Sequence, residues 1–192
     1  MDMFEQYLDE FDNSVKRKLI VYCNELERWN KKLNLTSLKG EALVRRLVLE
    51  PCWIARKLEI KGVMWDIGSG NGSPAIPIGL SSRVEALHLI EARSKRAAFL
   101  RHVTATLDMK EAQVHRARFE EVAGKIGTPD WITMQAVEPS ESILNAIKEA
   151  GLVKVRVVWI TSRRKMSLVA ASSVLELPDS DTIAVDLALD QS

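Results

Sequence analysis

One stretch of the chain has the composition of a ligand loop: Asp66-Ile67-Gly68-Ser69-Gly70-Asn71-Gly72, followed by Ser73, Pro74 and Pro77. Each glycine removes a Cβ that would hold a ligand away from the backbone. A dinucleotide fingerprint would need glycines at 68, 70 and 73, but position 73 is Ser and Pro74 opens the next element. Pyrophosphate binding and close helix–strand packing therefore have little support. A Walker loop is excluded, because no Gly-Lys-Ser/Thr follows. The spacing Asp-x-Gly-x-Gly-x-Gly instead suits S-adenosylmethionine (SAM), which lacks phosphate and needs backbone amides near its methionine part. Glu91, at the end of the apolar run Ala86–Ile90, is placed to accept hydrogen bonds from the ribose hydroxyls of an adenosine. Its plainer reading is an exposed carboxylate at a helix entry. Gly68, Ser69, Gly70, Gly72, Ser73 and Glu91 are the candidate cofactor residues.

Other chemistries find less to work with. Cys23 and Cys52 each sit inside a helix-like apolar pattern, with no CxxC and no His at ligand spacing, so both are expected to be buried and inert. His88, His102 and His115 are scattered; no metal site is expected. Methyl transfer to cytosine C5 needs a nucleophilic Cys, normally after a Pro, and Cys52 lies in the N-terminal helical region. Transfer to an exocyclic amine generally uses an Asn/Asp-Pro-Pro-aromatic loop after strand four, which Met134-Gln135-Ala136-Val137 cannot supply.

The elements that must position the loop follow from periodicity. Phe4, Tyr7, Leu8 and Phe11 make a short amphipathic turn set, and Val15, Leu19, Tyr22, Leu26, Trp29 and Leu33 form one face of a long helix. Asn13 or Ser14 is the expected N-cap. Another helix is expected over Glu41 to Leu49, stopping before Pro51. From Lys61 strands alternate with helices: Val63–Ile67, Ala86–Ile90, Ala112–His115, Trp131–Met134 and Val153–Ile160. Between them, Pro74 and Pro77 open one helix. Ser94 caps another with Ala97, Ala98, Leu100, Val103 and Leu107 inward, and Ser140 caps a third that Gly151 ends. Strands near Val174–Leu177 and Thr182–Leu189, around Pro178-Asp179-Ser180-Asp181, form a hairpin. This describes an open, mostly parallel α/β sheet, whose ligands bind beyond the strand ends beside strand one. Residues 1–60 are expected to be a helical extension packed on a core of residues 61–192.

Bulk composition agrees with a compact domain. The 192 residues are 46% hydrophobic and 28% charged, with net charge +1, which excludes a histone-like protein, an acidic tail and a disordered chain. No apolar run approaches the roughly 20 residues a bilayer needs, and Met1–Gln6, acidic and without the basic-then-apolar layout, is not expected to be a signal peptide. A soluble, cytoplasmic monomer without membrane partners is expected. Charge is uneven locally. Lys31, Lys32, Arg45, Arg46, Arg93, Lys95, Arg96 and Arg101 could form a phosphate-binding face, or simply solvated helix surfaces. Arg163-Arg164-Lys165 is a further basic run, and every later charge is acidic. Trp29 could stack on a base, although its stripe makes it core. Asn34 and Thr36 could line the cleft or end the helix.

Three segments resemble the glucose-inhibited division protein B family. They are Arg28-Trp29-Asn30-Lys31-Lys32-Leu33-Asn34-Leu35-Thr36-Ser37, then Asp66–Pro77, then Glu91-Ala92-Arg93-Ser94-Lys95-Arg96-Ala97-Ala98-Phe99-Leu100-Arg101. These are the bacterial RsmG methyltransferases, which methylate N7 of a guanine in 16S ribosomal RNA. The likeness runs from about residue 13 to 136, and more loosely to the end. It implies a seven-stranded, Rossmann-like SAM-dependent methyltransferase sheet, SAM as cofactor, and 16S rRNA or the small ribosomal subunit as partner. It also implies that Gly68 and Ser73 contact SAM and that Phe119-Glu120 hold its adenine end. The chain departs from the family at three places. Gln135 stands where the family has arginine after strand four, nearest the transfer zone, and is a further candidate cofactor-binding residue. Arg45–Glu50 lacks the family's His and Asp, and Ile160-Thr161-Ser162 replaces Leu-Lys-Gly. Those losses motivate a second expectation, a SAM- or RNA-binding relative with weak or no transferase activity.

Overall fold

A computed structural model describes residues 11–135, 137–152, 154–168 and 170–187. The expected turn residues Phe4, Tyr7 and Leu8, and the positions Val153 and Leu189, lie outside them. The chain runs α1 (Asn13–Leu33), α2 (Gly40–Val44), a π-helical turn (Arg45–Leu49) and α3 (Glu50–Lys57). It continues β1 (Lys61–Ile67), α4 (Ala75–Ser81), β2 (Arg83–Ile90), α5 (Ser94–Thr106), β3 (Ala112–His115) and α6 (Phe119–Val122). It closes β4 (Trp131–Gln135), α7 (Glu141–Glu149), β5 (Arg156–Ser162), a 3-10 turn (Arg163–Leu168), β6 (Ala171–Glu176) and β7 (Thr182–Leu187).

The seven strands form one sheet of order β3-β2-β1-β4-β5-β7-β6. β1 to β5 pair in parallel, while β7 lies antiparallel to both β5 and β6. The order reverses between β1 and β4, which opens a crevice beyond their carboxyl ends. Alternate residues of each strand serve opposite faces. Met64, Leu87, Leu89, Val158 and Ile160 pack with the N-terminal helices, α4 and α5. Trp65, Ile67, Ile132, Met134, Val157 and Trp159 pack with α6 and α7. Asp66 and Thr133, paired in register across β1 and β4, therefore belong to the face that α1 covers.

Helix α1 buries Leu19, Tyr22 and Leu26 from the stripe. Its N-cap is Asp12, not Asn13 or Ser14: the extended Asp12 turns its Oδ1 onto the N–H groups of Ser14 and Val15, at 2.8 and 2.9 Å. The helix ends at Asn34, with φ +48°, and Asn30 clips the exit by bonding both the N–H and the C=O of Thr36. Asn34 and Thr36 therefore serve the helix end.

Pro51 does not stop the second helical stretch. In the π-helical turn the Glu50 N–H bonds Arg45 O, five residues back. Pro51 thereby falls in the first turn of α3, where a missing N–H costs nothing. In α5 the N-cap is Arg93 and Ser94 is already helical; Ala98 faces solvent, whereas Phe99 is buried. Ser140 caps α7 as expected. Strand β5 begins three residues later than expected, because Gly151 (φ +68°) and Leu152, whose N–H bonds Ile147 O, first complete the helix exit. β1 and β2 start earlier, at Lys61 and Arg83.

Cys52 is buried, but Cys23 is only half-buried; burial pushes the two thiols up to about 12 and about 11. The histidines are less scattered than their numbering. His88 Nδ1 and His115 Nε2 lie 2.9 Å apart, and His102 Nε2 meets Glu25 at 2.6 Å. Trp29 is half-buried against Phe99 and His102.

Candidate functional site

The carboxyl ends of β1, β2 and β4 lie side by side, and each delivers one part of the site. After β1, Gly68, Gly70 and Gly72 take φ values of +71°, +49° and +92°, which L-residues with a Cβ resist. At Gly68 there is also no room, since a Cβ would overlap Val137 Cγ2. The loop is laced to β2: Gly68 and Ser69 N–H groups both donate to Ile90 O, at 2.9 and 3.1 Å.

Glu91 completes that lacing. It is 5% exposed, so it is not a solvated helix-entry carboxylate. Its Oε2 accepts the Gly70 N–H at 3.0 Å and its Oε1 the Arg93 N–H at 2.7 Å. Each carboxylate oxygen has a further lone-pair direction, so a carboxylate fixed in this way still accepts hydroxyl donors.

Asp66 sits beneath the loop, 1% exposed. Its Oδ1 accepts the Thr133 hydroxyl at 2.7 Å, while its Oδ2 is buried without a partner. Burial pushes this carboxyl up from 3.8 to about 7, against the opposing effect of the Thr133 hydrogen bond. An orphaned carboxylate oxygen costs on the order of 1–3 kcal/mol or more, and a ligand with an N–H or O–H donor relieves it.

From α1, the fully buried Tyr22 donates its hydroxyl to Asn71 O at 3.0 Å, which pins the loop tip. From β4, Gln135 Oε1 accepts the Ser73 hydroxyl at 2.9 Å, and the Ser73 N–H donates to Asn71 Oδ1 at 2.9 Å. The structure thus brings together Gly68, Ser69, Gly70, Gly72, Ser73, Glu91 and Gln135.

The remaining candidates are spread more widely. Phe119 opens α6 and is buried against Trp65, with ring centroids 6.3 Å apart. Glu120 is exposed and accepts the Ser142 hydroxyl at 3.1 Å. Lys31, Lys32, Arg93, Lys95 and Arg101 are exposed. Arg96 is half-buried and lies along the glycine loop, its Nη1 3.4 Å from where a Gly70 Cβ would stand. Arg45 and Arg46 are engaged architecturally instead of standing free for phosphate. Arg45 Nη2 donates to Asp179 O at 2.6 Å, and Arg46 Nε lies 3.5 Å from the buried Glu50, which also accepts the Ser180 and Thr182 hydroxyls. This cluster ties the N-terminal helices to the β6–β7 turn.

Sequence reasoning missed Tyr22, Thr133 and the orphaned oxygen of Asp66. Thr133 carried a signal, as a polar residue inside the apolar run Trp131–Met134. Tyr22 was hidden in an apolar stripe. Among the described residues, no group of three His, Cys, Asp or Glu could hold a metal, and no helix is long and apolar enough to cross a membrane.

Sheet order, switch-point loop and acidic clasp define the class of Rossmann-like methyltransferase folds. Solved structures agree on the fold. A SAM dependent methyltransferase from Aquifex aeolicus superposes with TM-score 0.60 at 14% identity, covering 80% of this chain and 96% of that one. A precorrin-6y C5,15-methyltransferase from Geobacter metallireducens gives 0.56 at 14% identity, covering 77% and 90%.

The family model GidB, rRNA small subunit methyltransferase G, matches residues 15–173, and the chain belongs to this family. Relatives named Ribosomal RNA small subunit methyltransferase G include that of Geotalea uraniireducens, 34% identical over 117 residues (60% of this chain, 53% of the relative). That of Chloroflexus aggregans is 37% identical over 103 residues (53% and 43%), and that of Aquifex aeolicus 30% over 158 (79% of each). The chain spans about half the length of the first two.

Proposed function

We propose that this protein transfers a methyl group from SAM to N7 of a guanine in 16S ribosomal RNA, acting as a cytoplasmic monomer on the RNA or the small subunit. Residues 1–60 and 61–192 work as one unit, since Tyr22 of the helical part holds the loop of the sheet. The observation that carries the reading is the buried Glu91–Gly70 clasp beside an unsatisfied Asp66 oxygen, in a chain of this family.

In this reading Glu91 grips the ribose, and Gly68, Ser69, Gly70, Gly72 and Ser73 line the methionine part. Asp66 Oδ2 accepts a donor from it, and the Phe119-Glu120 turn borders the adenine. When bound, SAM supplies an electrophilic methyl on its sulfonium. Guanine N7 has an in-plane lone pair and no proton to lose, so the cleft needs to align it and needs no general base. The site accordingly offers fixed hydrogen-bonding groups and no reactive Cys or His. Lys31, Lys32, Arg93, Lys95, Arg96 and Arg101 supply phosphate contacts, which give affinity and salt dependence instead of base choice.

Methyl-labelled SAM incubated with small subunits from a host lacking this protein tests the proposal. One N7-methylguanine in 16S rRNA is expected. No incorporation, or label in another nucleoside, overturns it.

A further inference from the structure

We propose that Gln135 reads the acceptor base, donating its Nε2 amide to O6 of the guanine whose N7 receives the methyl. The inference rests on the guanine-N7 reading and goes beyond it, since it names the group that distinguishes guanine from adenine.

The two ends of the Gln135 amide are occupied differently. Gln135 ends β4 next to the end of β1, two residues beyond Thr133 and therefore on the same face of the sheet as Asp66. Thr133 is fully buried and committed to Asp66, whereas Gln135 is half-exposed. The acceptor atom of its amide is taken by the Ser73 hydroxyl at 2.9 Å. Ser73 is itself 5% exposed and held by Asn71, so the acceptor end is anchored. Among the described residues the donor pair on Nε2 has no partner.

A lone donor group at this position makes a chemical choice. The major-groove edge of guanine shows two acceptors, N7 and O6, while that of adenine pairs N7 with an amino donor. N7 must stay open toward the methyl, which leaves O6 as the atom available for recognition. An amide N–H bonds O6 of guanine and meets only another N–H on adenine. The amide also carries no charge. Methylation at N7 leaves the base cationic, and a neutral donor holds O6 without opposing that charge.

The test is a cycle of enzyme and substrate changes. The methylated guanine is located in wild-type reactions by N7-specific chain cleavage. A synthetic fragment of the 16S rRNA is then made with guanine or 2-aminopurine there, the latter keeping N7 but lacking O6. On guanine, Gln135→Ala should lower kcat/KM roughly tenfold, and Gln135→Glu, which turns an acceptor toward O6, roughly a hundredfold. Both variants are compared with wild type at saturating SAM, so that any loss of cofactor affinity through the freed Ser73 hydroxyl does not enter kcat/KM for the RNA. On 2-aminopurine, wild type and Gln135→Ala should have equal kcat/KM. A tenfold Gln135→Ala defect that persists on 2-aminopurine overturns the assignment, as does an undiminished Gln135→Glu. Wild-type protein that labels no guanine in intact small subunits overturns the underlying function as well, and that reaction is run first; where only subunits are accepted, the fragment is assembled into them.

Discussion

At the tips of β1 and β2 the chain is laced largely through its main-chain N–H groups; beyond β4 and β5 side-chain pairs stand beside the backbone bond from Arg163 N–H to Asp181 O. In the first region Gly68 and Ser69 bond Ile90, and Gly70 and Arg93 bond Glu91, all through main-chain N–H groups. In the second, Gln135 rests on Ser73, Lys165 pairs with Glu138, and Arg163 pairs with Glu176 at 2.7 Å, the ion pairs on exposed surface. Backbone lacing tolerates few residue types, because a Cβ at 68 or 72 meets neighbouring atoms. Exposed side-chain pairs can be exchanged at little cost. Two of the three segments that resemble the family, 66–77 and 91–101, fall in the first region, and two of the three departures, Gln135 and Ile160-Thr161-Ser162, in the second; Arg28–Ser37 and Arg45–Glu50 lie outside both.

The largest expected effect comes from breaking the backbone half. Gly68→Ala forces a Cβ into Val137 at positive φ and should abolish measurable SAM binding by calorimetry. Gly124→Ala, with open space and no positive φ, should leave it unchanged. Next comes the buried strut. Glu50→Ala strands the Ser180 and Thr182 hydroxyls and should cost roughly 2–4 kcal/mol in urea unfolding, with SAM affinity of the folded protein retained.

Asp66 gives a smaller, pH-specific effect. Its folded carboxyl titrates near 7, against 3.8 unperturbed. Below pH 4 both folded and unfolded states are protonated; between 4 and 7 only the unfolded state ionises, so its contribution to stability falls as pH rises and is flat above 7. Asp66→Asn should remove that slope from thermal melts taken between pH 4 and 8. The smallest effect belongs to the side-chain half: Lys165→Ala breaks an exposed pair with Glu138 and should change stability by less than about 1 kcal/mol. A large loss of stability there would erase the contrast between the two regions.

The same contrast explains what was legible in the sequence. Glycines at 68, 70 and 72 and an acid at 91 announce themselves, because positive φ and close approach restrict residue type. The strands were visible as apolar runs and the α1 stripe as a helical period. Contacts across the chain were not. The pairing of Tyr22 with Asn71, and of Glu50 with the turn at Ser180, joins segments 49 and 130 residues apart, and no local pattern encodes them. Pro51 misled because the rule that a proline ends a helix assumes an unbroken α-helical ladder, and the π-helical turn before it shifts the ladder by one residue. The contacts of Arg45 with Asp179 and of Arg46 with Glu50 were equally illegible, because a cluster of positive charge looks the same whether it meets phosphate or a neighbouring carbonyl.

The central claim is that a nucleoside sulfonium binds at the tip of β1 with its sugar on Glu91. Calorimetric titration of SAM into wild-type protein and Glu91→Ala, with NAD as the control ligand, tests it most directly. The account predicts micromolar SAM binding to wild type, at least tenfold weaker binding to Glu91→Ala, and none of NAD. Equal SAM affinity in the two proteins, or NAD binding in place of SAM, would contradict it.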